Sequence, residues 1–127
     1  MSARILIVDD DPEVLGFVEQ RLKGAGYRTM AAATFEEGRR ALLADPVPDL
    51  LIADVRLGHF NGLQLVLLRS PRTAVLVISG HLDRMLEAET IRLGGTYLSK
   101  PVSGTQLLEA VASSLAKAAP PAPPDVA

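Results

Sequence analysis

Three aspartates follow directly on an apolar run in Ile5-Leu6-Ile7-Val8-Asp9-Asp10-Asp11. Neighbouring carboxylates repel one another, and gathering them in a cleft is costly unless a cation relieves the charge. A fourth acid, Asp54, closes a second apolar run over residues 50–53. A hydroxyl, Ser79, closes a third over 74–78, and an ammonium, Lys100, follows a short run over 96–98. Clustered carboxylates suit a hard divalent cation such as Mg²⁺, which takes one or two of them and keeps waters and phosphate oxygens. A carboxylate is also a competent nucleophile toward phosphorus and gives an acyl phosphate. The charge that develops in such a transfer needs a metal and a lysine, with a hydroxyl as donor. Each of these parts is present.

These residues work together only if the fold gathers them. Residues 4–8 are a short β-branched apolar run that reads as a strand buried on both faces. Asp11 reads as a helix cap with Pro12 at the first helical position, and Val14, Leu15, Val18 and Leu22 continue at helical spacing. Gly24 and Gly26 stop that helix, and residues 27–32 form a weaker strand. Thr34-Phe35-Glu36-Glu37 is a capping box that opens a second helix, which ends near Asp45 before Pro46 and Pro48. The buried run to Ala53 is followed by a glycine-containing loop over 56–62 and a short apolar helix that stops before Pro71. After the run ending at Ser79 comes a helix over 82–93, stopped by Gly94-Gly95, then a short strand. Ser103-Gly104-Thr105-Gln106 is a second capping box, and its helix runs through Lys117 with Leu107, Leu108, Val111 and Leu115 as a core stripe.

Five apolar strands alternate with five amphipathic helices. That order predicts an α/β fold, a (βα)5 doubly wound parallel sheet with helices on both faces. Ligands of such a sheet lie outside the carboxyl ends of its strands. Asp9, Asp10, Asp54, Ser79 and Lys100 all fall at that edge.

Composition excludes several classes. A net charge of −2 gives no field that would recruit nucleic acid or an anionic membrane. There is no cysteine, hence no disulfide and no thiol chemistry, which fits a reducing cytoplasm. No run is apolar enough to span a bilayer, and the N-terminus carries no signal-peptide pattern. At 127 residues one domain is expected, over residues 1–118, with an Ala- and Pro-rich disordered tail over 119–127.

Taken in order, ILIVDDDP, LLIADVRLG, VISG and YLSKP resemble the receiver domain of two-component response regulators. The resemblance covers residues 3–117 and implies the strand order 2-1-3-4-5. It implies that Asp54 accepts a phosphoryl group. Asp10 would bind Mg²⁺ or Mn²⁺ directly and Asp9 partly through water, with Asp54 and the Arg56 backbone carbonyl completing the ligands. Ser79 would be the switch hydroxyl and Lys100 its partner, with a cis Lys100-Pro101 peptide. Tyr97 would be the aromatic that changes rotamer, and Arg56 and His81 would tune hydrolysis of the acyl phosphate. The implied donor is a sensor histidine kinase or a histidine phosphotransfer protein. The implied output is a downstream protein target meeting the face of the fourth helix, fifth strand and fifth helix, with no nucleic acid or membrane partner. Such a chain is a cytoplasmic signalling switch and no turnover enzyme.

The chain departs from the family after the acceptor, where Gly58-His59-Phe60-Asn61-Gly62 replaces a Pro-Gly-x-Asp-Gly loop and keeps only Gly62. The span to Ser79 is about a helical turn short, so the third helix is expected to be trimmed. Without the resemblance, His59 and His81 read as exposed loop residues and Tyr97 as packing. A pseudo-receiver, a pure binding module, typically lacks an acid, the acceptor or the lysine, and none is lacking here. A haloacid-dehalogenase-like phosphatase needs an acid where Arg56 stands. A flavodoxin-like flavin binder needs a hydroxyl-rich first loop, where three aspartates would repel the flavin phosphate.

Overall fold

The computed structural model describes residues 2–58, 60–80 and 84–118. His59, His81 and the tail over 119–127 lie outside the described residues. The chain runs β1 (Arg4–Val8), α1 (Pro12–Gly24), β2 (Arg28–Ala32), α2 (Phe35–Leu43) and β3 (Leu50–Ala53). It continues through β4 (Arg56–Leu57), β5 (Phe60–Asn61), α3 (Leu63–Leu68), β6 (Ala74–Ser79), α4 (Arg84–Arg92), β7 (Thr96–Ser99) and α5 (Gly104–Ala118). Five strands form one parallel sheet in the order β2-β1-β3-β6-β7. Counting sheet strands only, this is the expected 2-1-3-4-5.

Local chemistry sets the helix starts. The Asp11 side chain accepts the Glu13 N–H at 3.0 Å ahead of Pro12, as the cap reading requires. Thr34 Oγ1 accepts the Glu37 N–H at 3.1 Å, and the Glu37 carboxylate reaches back to the Ala33 N–H at 3.1 Å. Ser103 and Gln106 exchange the two bonds of a reciprocal capping box, at 3.1 and 3.0 Å.

Strand side chains alternate, so each sheet face has its own core. Leu6, Val8, Leu51, Ala53, Val75 and Val77 face one side, against Leu42 of α2 and Leu65 and Val66 of α3. Ile5, Ile7, Leu50, Ile52, Leu76 and Ile78 face the other, against Val18 and Leu22 of α1 and Leu107 and Val111 of α5. β1 and β3 are buried on both faces, which explains their unbroken apolar sequence. Each fully buried Leu or Ile here contributes about 1.5–3 kcal/mol of transfer free energy.

The segment expected as a plain loop after Asp54 is a small antiparallel hairpin, with Arg56 opposite Asn61 and Leu57 opposite Phe60. Two-residue strands carry no periodicity, so the pattern could not announce them. α3 is short, at six residues, as the reduced spacing predicts. Its start is fixed by Asn61, whose Oδ1 accepts the Leu63 N–H at 2.8 Å. Lys100-Pro101 is cis as expected, and Asp45-Pro46 is cis as well.

Gly62 closes the hairpin onto the segment that follows β3, its N–H donating to Val55 O at 2.6 Å. A Cβ at this position would collide with the Asp54 carbonyl oxygen, which is backbone and cannot swing aside. Gly62→Ala is therefore expected to destabilise the fold by at least the ~1–3 kcal/mol typical of overpacking. Urea denaturation measures this, and an unchanged midpoint would contradict the close approach.

Candidate functional site

The sheet ladder itself delivers the site residues. The Asp9 N–H donates to Ala32 O at 3.1 Å, the Asp54 N–H to Val8 O at 3.0 Å, and the Lys100 N–H to Ser79 O at 2.7 Å. Each is one rung beyond the end of its strand. Asp9 and Asp54 lie on either side of the β1/β3 boundary, where the strand order reverses and a crevice opens.

Lys100 comes from the far strand and reaches across. Its Nζ donates to Asp54 Oδ2 at 3.0 Å and to Asp9 Oδ2 at 3.1 Å. The other Asp9 oxygen accepts the Asp11 N–H at 2.9 Å, so both of its oxygens are engaged. Asp54 Oδ1 accepts the Arg56 N–H at 3.3 Å. Asp10 is exposed, and its Oδ2 accepts the Gly58 N–H at 3.3 Å across 48 residues of sequence.

Burial divides these groups. Asp9 is only 4% exposed. Loss of solvent raises its pKa, and the Asp11 N–H and the Lys100 ammonium only partly oppose that. Burial acts to lower the pKa of Lys100, but the hydrogen bonds and charges of Asp54 and Asp9 outweigh it and leave the pKa raised. Lys100 is thus held charged.

Asp9, Asp10 and Asp54 each offer a carboxylate oxygen, and these atoms lie within 4.8 Å of one another. Three carboxylates against one ammonium leave two formal negative charges uncompensated. An all-oxygen donor set with that surplus fits a hard divalent cation.

Sequence reasoning named Asp9, Asp10, Asp54 and Lys100 as one site, and the fold brings all four together. Ser79 is buried at the end of β6, joined to Lys100 through the backbone. Tyr97 is half-buried on β7 opposite Val77 and packs against the core shared with α2 and α3. The Arg56 side chain is exposed, and the residue meets Asp54 through its backbone N–H. His81 lies outside the described residues. Sequence reasoning missed Gly58, whose backbone N–H carries no signature beyond the residue's permissive φ of +62°.

The doubly wound parallel sheet, with three acids and a lysine at its topological switch point, puts the chain among the α/β domains that gather ligands at the carboxyl edge of the sheet. The response regulator receiver domain model matches residues 5–112, and the chain belongs to that family. The transcriptional regulatory protein GlrR of Escherichia coli is 32% identical over 123 residues, covering 93% of this chain and 27% of GlrR. A CheY-like receiver domain structure from Methanospirillum hungatei superposes with a TM-score of 0.84 at 28% identity, covering 93% of this chain and 97% of that one. A response regulator from Burkholderia pseudomallei, solved with a phosphorylated aspartic acid, calcium ion and citrate, shares the fold at a TM-score of 0.78. Its identity is 23%, over 91% of this chain and 70% of that one. The chain spans about a quarter to two fifths of the length of the first curated relatives it matches, 27% for two and 40% for a third. Among the described residues no helix is long and apolar enough to cross a membrane.

The raised pKa of Asp9 has a thermodynamic sign. Its neutral form suits the fold better than its charged form, so its stabilising contribution is present below the unfolded carboxyl pKa and is lost as pH rises through the folded value. Asp9→Asn keeps an acceptor for the Asp11 N–H and removes the buried charge. In the absence of divalent metal at neutral pH this variant is expected to melt higher than wild type. The gap should close as pH falls toward the ordinary carboxylate range, near about 4. Thermal melts across pH check this; a lower melting point at every pH would contradict it.

Proposed function

We propose that the chain is a phosphorylation-driven signalling switch of the cytoplasm with Asp54 as the phosphoryl acceptor. The observation that carries this reading is the Lys100 ammonium bridging Asp54 and Asp9 at 3.0 and 3.1 Å, with Asp10 in the same acid group. The donor is the phosphohistidine of a sensor histidine kinase or of a histidine phosphotransfer protein. An Asp54 carboxylate oxygen forms the new bond to phosphorus while the phosphorus–nitrogen bond breaks. The electron pair returns to the imidazole.

Asp9, Asp10 and Asp54, with the Arg56 backbone carbonyl, would hold Mg²⁺ or Mn²⁺. When bound, the ion neutralises charge on the transferring phosphoryl oxygens. Asp10 suits direct ligation because it is exposed and keeps one oxygen clear of its Gly58 bond; Asp9, engaged at both oxygens, suits a water-mediated role. The Burkholderia pseudomallei response regulator, solved with a phosphorylated aspartic acid and a calcium ion, supports this reading.

Lys100 is already charged and in contact with the acceptor, so it can turn to the phosphoryl oxygens as they arrive. The Ser79 hydroxyl supplies the second donor from the end of β6. Two charge-assisted hydrogen bonds at about 1.5–3 kcal/mol each approach the roughly 5.5 kcal/mol that swings a two-state equilibrium from 1:99 to 99:1. Movement of Ser79 frees space for Tyr97 to change rotamer, and the face of α4, β7 and α5 then alters its fit to a downstream protein. Neither nucleic acid nor membrane is a direct partner. The chain assists only its own phosphorylation and dephosphorylation and does not act as a turnover enzyme.

Arg56 and His81 stand two residues beyond Asp54 and Ser79 and would tune the lifetime of the acyl phosphate. The exposed Arg56 cation shields the phosphoryl group from water in this reading. Arg56→Ala is expected to shorten the lifetime several-fold, as followed by loss of phosphoprotein; an unchanged lifetime would remove Arg56 from this role.

Intact-protein mass after incubation with Mg²⁺ and a small acyl-phosphate donor, repeated with the cognate kinase, tests the proposal. One phosphoryl group is expected on wild type, and none on Asp54→Ala or without divalent metal. Wild type left unmodified by both donors would overturn it.

A further inference from the structure

Asp10 is the least anchored member of the acid group. It is exposed and stands beside two other carboxylates whose charge pushes it outward. The hydrogen bond that holds it inward comes from Gly58, in the β4–β5 hairpin. Besides the Gly62 bond to Val55 at its base, two side chains anchor that hairpin. Leu57 is buried in the core on the α2/α3 side of the sheet. Opposite it, the Phe60 ring stacks on Phe35, the first residue of α2, with centroids 4.5 Å apart and planes 16° from parallel. Phe60 is 51% exposed, so it fills little of the core.

We propose that the Phe35–Phe60 stack is a positioning device for the cation site, fixing the hairpin so that the Gly58 N–H holds Asp10 within ligating distance of Asp9 and Asp54. The inference rests on the cation reading under Proposed function and adds residues that touch neither the cation nor the phosphoryl group. The physical path is short. Phe60 is paired with Leu57, Leu57 precedes Gly58, and Gly58 bonds Asp10. An aromatic pair of this geometry contributes beyond its buried area, and Gly58 at φ +62° lets the chain turn between the two anchors.

The test is a Mn²⁺ titration of the full chain, with free ion counted by electron paramagnetic resonance, beside amide NMR of the metal-free protein. Phe60→Ala is expected to raise the Mn²⁺ dissociation constant about tenfold, the low end for loss of support behind a metal ligand. Its Gly58 amide signal should move toward the position of an unbonded amide. The Asp11 amide, which bonds Asp9 instead, should stay in place. Phe60→Tyr keeps the ring and should bind like wild type. If Phe60→Ala does not fold, Phe60→Leu keeps bulk without the ring and should show the same weakening. A folded Phe60→Ala or Phe60→Leu that binds Mn²⁺ like wild type would overturn the inference. So would weakened binding with the Gly58 and Asp11 amides displaced alike, since that marks a general disturbance. Wild type that does not bind Mn²⁺ at all would overturn the cation reading itself and this inference with it.

Discussion

One ammonium holds the site together. Lys100 sits between Asp9 and Asp54, and without it two acids from adjacent strands would face each other across a crevice with no counter-charge. Asp9 shows how close the balance is, since its pKa is raised even with the lysine in contact. Removing the lysine would strand the buried Asp9 charge in a poor solvent, whereas neutralising Asp9 leaves Lys100 still paired with Asp54. The remaining surplus of negative charge is what makes the site receptive. Asp10 adds the third carboxylate that suits the site to a divalent cation.

The sheet exists, for this purpose, to bring that ammonium and those acids to one edge. Continuous apolar strands force burial on both faces, and burial on both faces requires helices on both sides. The parallel ladder then places Asp9, Asp54 and Lys100 one rung past their strands, through backbone bonds of 3.1, 3.0 and 2.7 Å. Side chains far apart in sequence meet because hydrogen bonds that ignore side-chain identity set the register.

Much of this was legible in the sequence. Apolar runs ending in Asp9, Asp54 and Ser79 announce both the strands and the edge. The caps at Asp11, Thr34 and Ser103 announce where helices begin, and each is made as the residue types require. What was not legible depends on contacts without local pattern. The β4–β5 hairpin has strands too short to alternate, and the Phe35–Phe60 stack joins residues 25 positions apart that each look like ordinary apolar residues. The Gly58 N–H on Asp10 is backbone chemistry, invisible to any reading of side chains. The sequence pattern also could not say that one lysine would touch both acids, since that depends on how far β7 lies from β1 across the sheet.

Under the proposed function Lys100 is first the counter-charge of Asp54 and then the partner of the phosphoryl group that Asp54 would carry. The direct measurement is the position of Lys100 Nζ in a structure determined with Asp54 carrying a phosphoryl group or a stable mimic of one. Nζ is expected in hydrogen-bond contact with a phosphoryl oxygen, with the Ser79 hydroxyl on another. A Lys100 that stayed on Asp9 while other groups covered the phosphoryl oxygens would contradict it.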